Sequence, residues 1–237
     1  MRYLLPLSSA LVLAILAPAR VVLAQDNPTG DPVVQPGSGA TDNGTGTITM
    51  LEAMRILKAA YLHPKRTILV GHWSGEEEGD IGSTAFATDH SDIVKGLQAL
   101  FSQDNGTGEI DTVQTNGFVD AAASLARWMA RMPADLTRNI TLMLPGVAHN
   151  ESTNSDAFDC RDAPAFFLTS SDWSYTDYTW HTNRDTYDKI NFDEVKRNAT
   201  LVAMFAYQAS EDPTTVSRMR RSAGRSEHRP ADASAEL

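Results

Sequence analysis

The amino-acid sequence predicts an α/β protein with a mostly parallel or mixed central sheet flanked by helices. Two observations carry this reading. Short apolar runs such as "ILVGHW" are bounded by charge and glycine, as strands buried on both faces are, and stretches of helical period such as "GFVDAAASLARWMARM" fall between them. At 237 residues the chain suits one domain able to bury a full core.

Residues 25–46 are rich in Gly, Pro, Asp, Asn and Thr and read as loop. In "TITMLEAMRILKAAY" the residues Ile48, Leu51, Met54, Ile56 and Leu57 keep helical spacing, and Pro64 ends the helix. "RTILVGHW" is a buried strand, "GDIGSTAFATDH" holds a short helix, and "QALFSQ" is a weaker strand running into Asp104. The amphipathic helix "GFVDAAASLARWMARM" follows, then the strands "NITLMLPG" and "APAFFLTSS". "NFDEVKRNATLVAMFAYQA" is a closing helix with Asn191 or Asp193 near its cap. From Glu211 onward the apolar face is gone, so residues 211–237 are expected to be a disordered tail.

Arg2, the apolar run from Leu4 to Leu16 and the small residues before Gln25 read as an export signal over residues 1–24, placing the mature protein outside the cell or in a periplasm. The run is shorter than the ~20 apolar residues a membrane span takes, and no later stretch is more apolar. No membrane association is therefore expected after cleavage. With 20 Lys+Arg against 30 Asp+Glu, nothing attracts a phosphate backbone, and nucleic acid is excluded as a partner. Cys160 is alone and cannot form a disulfide within the chain, and its carboxylate-rich setting favours a packed or inert thiol.

The pentapeptide "DNGTG" occurs at Asp42–Gly46 and again at Asp104–Gly108 with unrelated flanks, which argues against duplication. An EF-hand loop fails at both copies, because the third, fifth and twelfth positions hold Gly44, Gly46 and Ala53 or Gly106, Gly108 and Thr115. "WSGEEEGDIGS" presents Glu76, Glu77 and Glu78 just after a strand, and neighbours in an extended segment point opposite ways, so Glu76 and Glu77 can take different tasks. "YTWHTNRDTYDKI" places His181 in an aromatic loop, with Asp185 available to orient its imidazole. Asp42, Glu76, Glu77, Asp104 and His181 together suit zinc and metal-assisted hydrolysis.

Four ordered motifs, "PGSGATDNGTGTITMLEAMRIL", "RTILVGHWSGEEEGDIGSTAF", "LQALFSQDNGTG" and "YTWHTNRDTYDKI", resemble those of the secreted two-zinc exopeptidases, the family of bacterial leucyl aminopeptidases, carboxypeptidase Q and glutamate carboxypeptidase. The resemblance covers roughly residues 36–210, within a peptidase-like domain spanning 25–210. It implies that Asp42 bridges the metals, Glu77 and His181 complete the second zinc, and Asp104 serves the first. Glu76 matches the family's general base, which takes a proton from the attacking water and hands it to the leaving amine. The implied substrate is a peptide or dipeptide, trimmed from either end.

The chain departs from this pattern in two places. No His precedes His63, so the His-x-Asp motif that supplies the first zinc is missing and the domain is expected to be incomplete at its N-terminus. His72 and His149 are the conceivable substitutes. In "NESTNSDAFDC", Ser155-Asp156 is followed by Ala157 and Phe158 where relatives carry His or Tyr. The missing His keeps a second reading open, a peptidase-like protein with impaired or lost activity. A serine nucleophile in "GHWSG" is rejected because Trp73 holds the central position. Of the sequons at Asn43, Asn105, Asn139, Asn150 and Asn198, the first two adjoin expected ligands, where a glycan would obstruct.

Overall fold

The computed structural model describes residues 11–16, 39–61, 63–144 and 153–220. In chain order the elements are β1 (Leu11–Leu16), α1 (Thr45–Ala60), β2 (Ile68–Trp73), α2 (Ile81–Asp89), α3 (Ser91–Gly96), β3 (Leu100–Ser102) and β4 (Ile110–Gln114), followed by α4 (Ala121–Met129), α5 (Ala134–Thr137), β5 (Thr141–Met143), α6 (Asp156–Asp159), β6 (Ala165–Ser170) and α7 (Phe192–Glu211). The six strands lie in the order β2-β1-β3-β6-β4-β5. From β2 to β6 the pairs are parallel, β4 runs antiparallel to β6, and β5 is parallel to β4. The mixed sheet is the one the sequence predicts.

Alternating side chains divide the core between the two faces of this sheet. Leu100 and Ala165 join Trp73, Ala87, Leu97 and Phe158 on one face, while Phe101, Phe166 and Leu168 join Met50, Leu57, Trp128 and Phe205 on the other. Phe101 sits at the centre of the second group, 5.2 Å from the ring of Phe205 and 5.7 Å from that of Phe166. Truncating such a residue to Ala costs about 3–5 kcal/mol.

α7 forms because Val195, Ala199, Val202, Ala206 and Ala209 repeat at helical spacing and all are buried. Asn191 caps it by accepting from the Glu194 amide at 3.4 Å, and Pro213 forces Asp212 out of helical conformation at the other end. α1 lies where expected, but its buried side is Met50, Ala53 and Leu57, with Ile48 and Leu51 exposed. Small residues on that side let α1 approach α7.

Three features add to the sequence reading. Residues 211–220 are ordered: Val216 is buried, Asp212 accepts from Arg127 and the Trp128 indole at 2.9 and 2.8 Å, and Arg218 reaches the carbonyls of Val94, Lys95 and Leu97. Arginines that looked solvated in the sequence are here helix-terminating donors; residues 221–237 lie outside the described residues. The apolar run assigned to an export signal supplies β1, whose six residues pair with Ile68–Trp73. Cleavage after Ala24 would leave β2 and β3 about 9–10 Å apart, so a leader and a strand exclude each other in one molecule. Finally, β4 has no counterpart in the sequence reading.

Candidate metal centre

Parallel strands deliver four of the expected residues to one edge, as open α/β sheets do at their carboxyl ends. After β2 the chain turns at once: Gly75 takes φ +70°, and the carbonyls of Ser74, Gly75 and Glu76 accept from the amides of Gly82, Ile81 and Asp80, each at 2.9 Å. Glu76 and Glu77 lie in this turn rather than in the extended segment expected, and both line the same cavity of about 400 Å³. Asp104 follows β3, and the loop after β6 carries His181.

Asp42 arrives from the loop before α1, which is braced from two sides. Asp185 is buried and accepts from the Thr41 amide and hydroxyl, both at 2.7 Å, and from the Asp42 amide at 2.9 Å. The orienting task expected of Asp185 thus falls on the Asp42 loop, while the His181 ring rests against Trp180 at 4.5 Å. Thr41 and Thr179 share a hydroxyl hydrogen bond of 3.0 Å, tying this loop to the one that carries His181.

His181 Nε2 stands 3.5 Å from Asp42 Oδ2 and 3.3 Å from Glu77 Oε2. One ligand atom from each of the three residues lies within 4.8 Å of the others, the only such group among the described residues. Three corners of a zinc tetrahedron with bonds of 2.0–2.1 Å lie about 3.4 Å apart, so the spacing fits that ion. Asp104 lines the cavity but stands outside the group, accepting from the Thr153 hydroxyl at 2.6 Å. His72 is on β2 and does not line the cavity; His149 lies outside the described residues.

Four carboxylates share this cavity, and no Lys or Arg is among its described lining residues. The electrostatics follow. Burial, then Asp104, Glu77, Asp80 and Asp42, push Glu76 up to about 8. Asp104 is pushed up to about 7, chiefly by burial, against the hydrogen bond from Thr153. Burial and then Glu77 push Asp42 up to about 6, opposed in part by a hydrogen bond from Tyr175. A site that holds so many unneutralised carboxylates together is one that a divalent cation relieves.

Residues 26–206 match the profile of Peptidase family M28. The chain belongs to that family. Leucine aminopeptidase 1 of Coccidioides posadasii is 30% identical over 191 residues, covering 75% of this chain and 48% of the relative, and the protein of the same name from Neurospora crassa is 27% identical over 189 residues. Among solved structures, a peptidase M28 precursor from Shewanella amazonensis superposes with a TM-score of 0.67 at 22% identity, covering 87% of this chain and 43% of that one. BSAP, a zinc aminopeptidase from Bacillus subtilis, gives 0.65 at 18% identity and coverage of 92% and 50%. The M28 chain described here therefore spans about half the length of the relatives it matches.

The sequence reading missed Tyr175, Trp180 and Thr153 at this cavity. Trp180 lies in the motif already singled out for His181, where an aromatic residue beside a candidate ligand was the available signal, and Tyr175 stands three residues before that motif. Thr153 borders a stretch without periodicity and gave none.

Proposed function

We propose that the protein is a zinc-dependent exopeptidase that removes residues from the amino termini of peptides. The observation that carries this is the Asp42–Glu77–His181 group, with His181 at 3.5 and 3.3 Å from the two carboxylates, beside a further carboxylate, Glu76, that shares the cavity. Zinc held by those three residues would supply Lewis-acid polarisation of the scissile carbonyl. Glu76, which burial and then its acidic neighbours bring into a range where it both accepts and returns a proton, takes one from the attacking water and passes it to the leaving amine. An acidic lining without Lys or Arg among the described residues suits a substrate's α-ammonium group and opposes a free α-carboxylate, which favours amino-terminal over carboxy-terminal trimming. The names of the fungal relatives support the same choice.

Asp104 supports a second reading. It stands outside the three-residue group, and no second histidine lines the cavity among the described residues, which favours one zinc and weakened catalysis. Zinc content per chain, measured with hydrolysis of aminoacyl and dipeptide substrates by wild type and Glu76→Gln, decides between them. Bound zinc with a rate that falls at least 100-fold in Glu76→Gln supports the exopeptidase; bound zinc without turnover supports the second reading; absence of zinc defeats both. Export is proposed from residues 1–24 alone, and intact mass of the purified protein separates a chain cut after Ala24 from one that retains β1.

A further inference from the structure

Tyr175 is a neutral side chain that hydrogen-bonds the Asp42 carboxylate, lines the same cavity, and does not belong to either DNGTG loop. Its backbone is fixed on both sides: its amide donates to the Asp172 carbonyl at 2.6 Å, and its own carbonyl accepts from the Trp180 amide at 2.9 Å. Its ring lies against Gly106 of the second DNGTG loop. A Cβ on Gly106 would come within 2.9 Å of Tyr175 Cβ and Cγ and 3.0 Å of Cδ2, and Gly106 also takes φ +75°, so only glycine leaves the ring its place. The Gly106 carbonyl meanwhile accepts from Thr45 of the first loop at 2.8 Å. The second loop thus holds both the Thr45 side chain of the first and the aromatic ring that reaches its aspartate.

A carboxylate ligand needs such a partner. The terminal torsion of Asp is broad, so a side chain anchored only at its backbone presents its oxygens over a range of angles. Asp185 fixes the Asp42 amide but leaves that torsion free. The other groups facing the carboxylate are Glu77, a like charge, and His181, itself in the three-residue group. A phenol donates one hydrogen bond, is neutral at ordinary pH, and sits on a stiff two-torsion side chain.

We propose that Tyr175, seated by Gly106, is a positioning residue that fixes the Asp42 carboxylate for metal binding. The second DNGTG then serves the metal of the first, whatever Asp104 itself binds. This rests on the zinc reading above, and wild-type zinc binding is the control that keeps the two apart: if wild type binds no zinc, that reading fails first.

Tyr175→Phe removes the hydroxyl and keeps the ring. Zinc affinity of the full chain, measured by competition with a chelator, should fall about 10–100-fold, as it does when a partner behind a metal ligand is lost. The visible spectrum of the Co(II)-substituted protein should change, and the melting temperature of the metal-free protein should fall by no more than the loss of one hydrogen bond accounts for. In an Asp42→Asn background the same substitution should weaken zinc binding less than about twofold, because its target is gone. Gly106→Ala should weaken zinc in the wild type and add nothing to Tyr175→Phe. A Tyr175→Phe protein with wild-type zinc affinity and only a raised KM would show that the hydroxyl serves bound peptide, and the proposal would fall. An equal loss in the Asp42→Asn background would also overturn it, and a Gly106→Ala protein with unchanged zinc affinity would refute the seating by Gly106.

Discussion

The two DNGTG loops share five letters and almost no contacts. In the first, Asn43 is buried and donates to the Gln103 carbonyl at 2.8 Å while accepting from the Gly46 amide at 2.9 Å, and Thr45 donates to Thr41 and Gly106. In the second, Asn105 accepts from the Ser170 amide at 3.0 Å and Thr107 accepts from the Asn191 amide at 2.8 Å, tying the loop to β6 and to the start of α7. Asp42 joins two other ligand candidates; Asp104 is held by a threonine. The pentapeptide is a loop chemistry rather than a site: small, bonded residues bring backbone close to backbone, and the surrounding fold decides what the leading aspartate meets.

The sharpest way to break this contrast is to remove each aspartate. Asp42→Ala should lower zinc affinity by more than the 10–100-fold lost with an outer partner, and Asp104→Ala by less, both read by chelator competition. Equal losses would make the loops equivalent and restore a two-metal site. Next in size, Asn43→Ala leaves the Gln103 carbonyl and the Gly46 amide without their partner inside the protein, at about 1–3 kcal/mol each, whereas Asn105→Ala strands one amide. Denaturant titration should therefore find Asn43→Ala the less stable of the two.

The acidity of both loops gives a third measurement. Asp42, Asp104 and Glu76 have folded-state values of about 6, 7 and 8, above the ~4 of unfolded carboxylates. Between those limits the folded protein binds more protons than the unfolded one, so stability falls as pH rises. The melting temperature of metal-free protein should drop from about pH 4 to pH 8, and saturating zinc should flatten the slope. The smallest effect expected is from Thr153→Val, which removes one hydrogen bond to Asp104, about 1 kcal/mol by denaturant titration, with zinc affinity unchanged.

Much of this was legible in residue order. Continuous apolar runs located β2 and β6, and the motif residues Asp42, Glu76, Glu77, Asp104 and His181 all line one cavity. β4 was not legible because Ile110 and Val113, both buried, stand three apart; an irregularity between Ile110 and Thr112 breaks the alternation that marks a strand. The buried face of α1 differs from the one its most apolar residues suggest, because Thr49, Met50, Ala53 and Leu57 turn inward while Ile48 and Leu51 stay exposed. Asn198 offered a sequon, yet it is buried, donating to the Gly108 carbonyl at 2.8 Å and accepting from the Ile110 amide at 2.9 Å, so a glycan there is incompatible with the fold. Asn139 is exposed, and Asn150 lies outside the described residues.

The segment after α7 separates two meanings of a domain boundary. Similarity to the family ends at residue 206, but Asp212 answers Arg127 and Trp128, and Arg218 supplies the donors for three carbonyls around the end of α3. A chain cut to the matched span would strand a buried indole N–H and leave α3 without its terminal partner. The unit that folds thus extends past the matched span, and expression designed on that span would discard a clasp made by Arg218.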